Sequence, residues 1–165
     1  MSTAASSPRP HPLYTPSQRA RRDATVWTTV QGVLAPVQFL VFAVSLILVL
    51  RYLATGDGYT AATVSILLKT ALLYTIMITG AIWEKVVFGQ YLFAPSFFWE
   101  DVVSFVVIAL HTLYLYGLLT NSIPPQQLML ITLAAYATYF LNATQFLLKL
   151  RRARLDTAAP RGHPA

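Results

Sequence analysis

No charged residue occurs between Asp23 and Arg51, and that gap constrains the fold more than any other feature of the chain. A helix crossing a bilayer needs about 20 consecutive apolar residues. Inside lipid the backbone must satisfy its own amides, which leaves only helices and closed barrels. A longer uncharged stretch, rich in Val, Leu and Phe, therefore reads as a membrane span. Three further apolar stretches follow it, parted by Gly56-Asp57-Gly58, by the segment around Gly89 and Pro95, and by Asn121 to Pro125. Of the 165 residues, 56% are hydrophobic and 11% charged, against about 25% charged in a soluble domain.

The reading is an all-α integral membrane protein of one domain, residues 28–150. It is a bundle of four transmembrane helices at about 28–52, 61–86, 98–119 and 126–150. Residues 1–27 are expected as a disordered basic N-terminal segment, rich at first in Ser, Pro and Ala. No signal peptide is expected there, because the apolar stretch of one is missing. Residues 151–165 form a basic polar tail. Pro36 either kinks the first helix or sits in its first turn. Gln31, Gln38, Ser45 and Tyr52 recur every seven residues and share a face that should meet other helices. Thr138, Asn142 and Gln145 mark a similar packing face on the last helix.

The net charge of +6 sits mostly in the two tails, which is topology information and not a nucleic-acid signal. Lys and Arg collect on the cytoplasmic side of spans. Both termini are therefore expected in the cytoplasm, with the chain as a multi-pass protein of a bacterial inner membrane. The chain has no Cys, which removes disulfides, Cys-ligated zinc and iron–sulfur clusters. The three His are far apart, so no multi-His metal site is expected, and no cofactor.

Candidate chemistry concentrates in Trp83 to Asp101, WEKVVFGQYLFAPSFFWED. Glu84, Glu100 and Asp101 are half of the six acids, placed at the mouths of two spans where desolvation makes acids costly. Trp83 and Trp99 suit the headgroup layer. Such carboxyls either act as proton donors and acceptors or pair with Lys85 and nearby Arg residues as an interfacial belt. Lys69 lies about 12 Å into the second span; it either snorkels to the near interface or is a buried cation holding an anion. His111 shares a stripe with Glu100 and Ser104, about 16 Å deeper. It is either a hydrogen-bonded core histidine or a functional one. No phosphate-binding loop, dinucleotide fingerprint or nucleophile elbow is present. What remains suits cofactor-free acid–base chemistry on a flat apolar substrate, or simple binding of one.

The segments ARRDATVWTTVQGVLAPVQFLVF, LLKTALLYTIMITGAIWEKVVFGQYLFAPSFFWEDV and NATQFLLKLRRARL resemble the 3-vinyl (bacterio)chlorophyllide hydratase family of phototrophic bacteria, also called 2-vinyl bacteriochlorophyllide hydratase. The resemblance spans about residues 19–155. It implies addition of water to the C3 vinyl group of a chlorophyllide, a magnesium tetrapyrrole, giving a 1-hydroxyethyl group in bacteriochlorophyll synthesis. It carries no catalytic residue with it. On the chemistry, Glu100 or Glu84 is the expected proton donor and Asp101 the base that positions water. Trp83, Trp99 and Phe98 are candidates to stack on the ring. Lys85 or a tail Arg is a candidate to hold the propionate, Lys69 to hold an anionic ligand or pair with an acid, and His111 to ligate the substrate magnesium. Assembly with further copies or with other pigment-synthesis enzymes stays open. Two alternatives compete: a non-catalytic tetrapyrrole-binding or pigment-assembly protein, and, lowest, a small four-helix transporter.

Overall fold

The computed structural model describes residues 13–158, all helix and connection. The elements are α1 (Pro16–Ala24), α2 (Val26–Thr55), α3 (Tyr59–Phe88), α4 (Phe98–Leu119) and α5 (Pro125–Ala158). Short connections make α2–α3 and α4–α5 two antiparallel hairpins, each closely packed along its length. The hairpins meet mainly where α2 crosses α5, and α3 touches α4 only lightly.

Local chemistry sets the boundaries. Gly56 ends α2 at φ +78° and Gly89 ends α3 at φ +89°, a left-handed geometry that costs glycine nothing. Pro125 opens α5, where its missing N–H is no loss. Pro36 lies well inside α2 and not in its first turn. In a membrane helix such a proline is tolerated when neighbouring helices re-satisfy the freed carbonyl.

The N-terminal segment departs from expectation. Residues 16–24 form a helix, where the whole of 1–27 is expected to be disordered. Thr15 and Gln18 build a capping box: the Gln18 N–H donates to Thr15 Oγ1 (3.3 Å) and the Thr15 N–H to Gln18 Oε1 (2.8 Å). That satisfies two orphan amides at once, and packing of α1 on α3 does the rest. Expectations for residues 1–12 and 159–165 lie outside the described residues. At the other end, α5 continues to Ala158, so the first part of the basic tail is helical.

Three helices, α2, α3 and α4, are long and apolar enough to cross a membrane, and the chain is a membrane protein on that evidence. Leu40, Ile47 and Ile78 stand exposed along them, as lipid contact requires. The α2 polar stripe faces inward. Gln31 Nε2 donates to Thr79 Oγ1 at 2.7 Å, and Ser45 Oγ meets Tyr136 OH at 2.6 Å. Polar side chains hold membrane helices together where lipid offers no hydrophobic drive.

Candidate functional site

Glu84 stands four residues from the end of α3, and Glu100 and Asp101 lie in the first turn of α4. The 89–97 connection brings these two helix ends to one side of the bundle. All three acids are shielded there, at 5%, 5% and 3% exposure. Glu84 and Asp101 lie within hydrogen-bonding reach of each other. Two carboxyls can share such a contact only with a proton between them.

The connection is a strap laid over these acids. Phe93 N–H donates to Asp101 Oδ2 at 2.7 Å, and Ala94 N–H donates to Glu84 Oε2 at 3.2 Å. Phe93 adopts φ +58° to present its amide, a conformation that bulky residues rarely hold without support. Glu100 takes a different partner: Lys149 of α5 bridges it to the Ser96 carbonyl, which lies 2.5 Å from Nζ. Glu100 thus forms an ion pair, with a lysine the sequence reading did not single out, and not with Lys85. Lys85 is exposed and donates to the Gly89 carbonyl at 2.8 Å, capping α3.

The N-terminal segment covers the same end. Arg21 donates to the Val87 carbonyl through Nε (3.0 Å) and Nη2 (2.7 Å). Ser96 Oγ donates to the Leu13 carbonyl at 2.9 Å. Tyr14 is buried against Phe88 and Phe97, with ring centroids 5.8 and 6.4 Å away.

The candidate aromatics divide into two groups. Trp83 belongs to the inner one: its Nε1 donates to Thr28 Oγ1 at 2.9 Å, and its ring meets Phe88 and Phe97 edge-on. It does not share a surface with Trp99. Phe98 and Trp99 face outward, Trp99 at 68% exposure. Phe98 packs on Phe93 (5.7 Å), and Phe93 stacks on Phe105 (5.4 Å). The residue whose amide holds Asp101 thus also carries one ring of an open aromatic face.

Lys69 and His111 lie deeper, both fully buried. Lys69 does not snorkel. Its Nζ donates to Gln38 Oε1 at 2.7 Å and sits 3.6 Å from the centre of the Tyr139 ring. His111 Nδ1 lies 2.8 Å from the Val107 carbonyl, which fixes the proton on Nδ1 and leaves Nε2 as an acceptor. Nε2 is buried and has no partner. Its chemistry suits a metal, but a macrocycle could reach it only if the helices parted. A cavity of about 260 Å³ lined by Tyr59, Gly117, Ile123 and Pro124 lies at the far end of the bundle, away from the acids. Among the described residues no three His, Asp or Glu converge as a metal-binding group.

Lys149, Phe93, Ala94 and Arg21 are the residues that sequence reading missed. For Lys149 a signal existed: counting outward from the 120–124 turn brings the end of α5 alongside the start of α4. For Phe93 and Ala94 none did, because their contribution is the main-chain N–H. The arrangement is a buried carboxyl pair under two amides, beside an ion pair and an aromatic face. It can deliver a proton, hold a negative charge and receive a flat apolar molecule.

A family model described as 2-vinyl bacteriochlorophyllide hydratase matches residues 14–152. The 2-vinyl bacteriochlorophyllide hydratase of Cereibacter sphaeroides is 74% identical over 147 residues, 89% of this chain and 91% of its own. That of Rhodobacter capsulatus is 66% identical over 159 residues, 96% of this chain and 92% of its own. No solved structure matches the chain.

Proposed function

The chain belongs to the 2-vinyl bacteriochlorophyllide hydratase family and is a hydratase of bacteriochlorophyll synthesis; we propose that it works by acid–base catalysis in which Glu84 is the proton donor and Asp101 the base. The observation that carries this is the buried Glu84–Asp101 contact under the Phe93 and Ala94 amides. Glu84 lies near the C-terminal end of α3, where the helix dipole disfavours negative charge. Asp101 lies at the N-terminal end of α4, where it is favoured. Asp101 also has the shorter amide contact, so the shared proton belongs to Glu84.

Glu84 gives that proton to the terminal vinyl carbon, which becomes a methyl group. The cation left on the adjacent carbon is delocalised into the macrocycle. Water adds there and its proton passes to Asp101. Transfer from Asp101 to Glu84 across their contact restores the starting state, so the cycle adds one water and needs no redox partner. Glu100, neutralised by Lys149, is outside this proton cycle. The macrocycle rests on the open face of Phe98, Trp99 and Phe105, and exposed Lys85 is placed to meet its propionate. In D2O containing labelled oxygen, membranes holding only this protein are expected to give a product with one deuterium in the new methyl group and the solvent oxygen in the hydroxyl. Carbon-bound deuterium anywhere on the side chain but the methyl group, or a hydroxyl without the solvent oxygen, overturns the scheme.

The same reading makes α5 a fourth span, with both termini in the cytoplasm. Leu141 and Leu147 are exposed on it as lipid contacts would be. The acid end carries Arg21, Arg22, Lys85, Lys149, Arg151 and Arg152, while the far turns offer only Arg51, a strong cytoplasmic bias for the acid end. Reporter fusions after Gly58 and after Asn121 are expected to read as periplasmic; a cytoplasmic reading from either removes the four-span topology.

A further inference from the structure

We propose that Lys149 is a positioning residue for the hydration: it pins the 89–97 strap to the start of α4, and the strap holds Glu84 and Asp101 in their working contact. This rests on the acid–base reading above. Lys149 reaches from the far end of α5, with its side chain mostly sheltered. An ammonium has three donors, and this one divides them between the Glu100 carboxylate and the Ser96 main-chain carbonyl. It also lies 5.1 Å from the centre of the buried Phe97 ring, so a third group from the strap's end surrounds it.

The geometry separates this role from charge balance. Neutralising Glu100 would require only proximity to the carboxylate. The bond to the Ser96 carbonyl adds nothing to that, but it fixes the strap three residues beyond Phe93 and two beyond Ala94, whose amides hold Asp101 and Glu84. The strap has no helix or sheet ladder of its own, and Phe93 sits in a left-handed conformation at φ +58°. Such a segment keeps its shape only when tied at both ends. Gly89 ties one end, through its N–H to the Lys85 carbonyl. Lys149 ties the other through the Ser96 carbonyl, beside the bond from Ser96 Oγ to the Leu13 carbonyl. Of the aromatic face only Phe93 belongs to the strap, while Phe98, Trp99 and Phe105 stay on α4, so loosening the strap should slow the chemical step more than it weakens binding.

The test compares Glu100→Gln, in which Lys149 keeps its bond to the Ser96 carbonyl and its partly exposed ammonium loses only the carboxylate, with Glu100→Gln/Lys149→Met, in which both charges are gone; accumulation in the membrane checks that each variant folds. A misplacement of about 1 Å costs up to about a hundredfold in rate. The double variant is therefore expected to fall about tenfold or more below Glu100→Gln in kcat, with KM within about threefold. Hydrogen exchange, which needs no turnover, is expected to be about tenfold faster at the Phe93 and Ala94 amides and unchanged along α2 and α3. If the double variant matches Glu100→Gln in both kcat and exchange, Lys149 only balances charge and the proposal falls. If exchange at 93 and 94 accelerates while kcat holds, the pin is real but does not serve catalysis, and the proposal falls as well. Failure of the acid–base reading would show separately, in active Glu84 and Asp101 variants.

Discussion

Glu84→Gln and Asp101→Asn are each expected to lower the hydration rate by about a hundredfold or more, while the protein still accumulates in the membrane and binds pigment. Losing a general acid or base costs about 10²–10⁴ in rate. Both substitutions preserve shape and remove only the titrating group. Glu100→Gln is expected to be milder, less than about tenfold, because this carboxylate holds Lys149 and moves no proton. The ranking matters as much as the size. All three acids sit at one end of the bundle, and burial treats them alike. Only the strap amides and the Lys149 contact tell them apart. Product formation on membranes, normalised to protein level, with pigment binding measured separately, gives the comparison. If Glu100→Gln is the most damaging of the three, the assignment of roles is wrong. If all three turn over within a few-fold of the parent, the cluster is an interfacial belt.

The second large effect is on stability. Gln38→Leu is expected to destabilise the bundle by about 1–3 kcal/mol, the typical cost of leaving a buried polar group without its partner. Gln38 Oε1 accepts from Lys69, and Gln38 Nε2 donates to the Leu72 carbonyl at 3.3 Å. Removing it strands the Lys69 amino group deep in the membrane with only the Tyr139 ring beside it. Lys69→Met added to Gln38→Leu is expected to recover most of the loss, because an apolar pair of similar volume has no buried charge to satisfy. Thermal unfolding in detergent of the two singles and the double supplies the cycle. A double variant as unstable as the sum of the singles removes the coupling. If Lys69→Met alone abolishes hydration without loss of stability, Lys69 has a role in the chemistry that the contacts do not explain.

Membrane character was legible from the charge gap between Asp23 and Arg51, and so was the gathering of three acids at the ends of two neighbouring helices. Acids are costly at helix mouths wherever the fold puts them, so Glu84, Glu100 and Asp101 stood out by position alone. The seven-residue spacing of Gln31, Gln38, Ser45 and Tyr52 also sufficed, since helical periodicity is local. The helix at 16–24 was hidden by composition: its capping box is brief, and its stability comes from docking on α3. For Lys69 the choice between snorkelling and burial stays open in the sequence, because flexible reach can be judged from one helix, whereas the neighbours that enclose it, Gln38 and Tyr139, come from two others.

The division of labour among the acids belongs to tertiary structure for the same reason. Glu100 and Asp101 are adjacent and chemically near-equivalent in sequence. Their separation arises because one points to α5 and meets Lys149, while the other points to α3 and meets Glu84. Residues one apart on a helix face about 100° from each other, so which meets Lys149 and which meets Glu84 depends on the helices that pack there. The sequence by itself determined helices, lipid-facing surface and the end where the acids gather, because hydropathy and charge act residue by residue. Only the fold decided their partners, because main-chain amides from a strap and a lysine from a distant helix have no local signature.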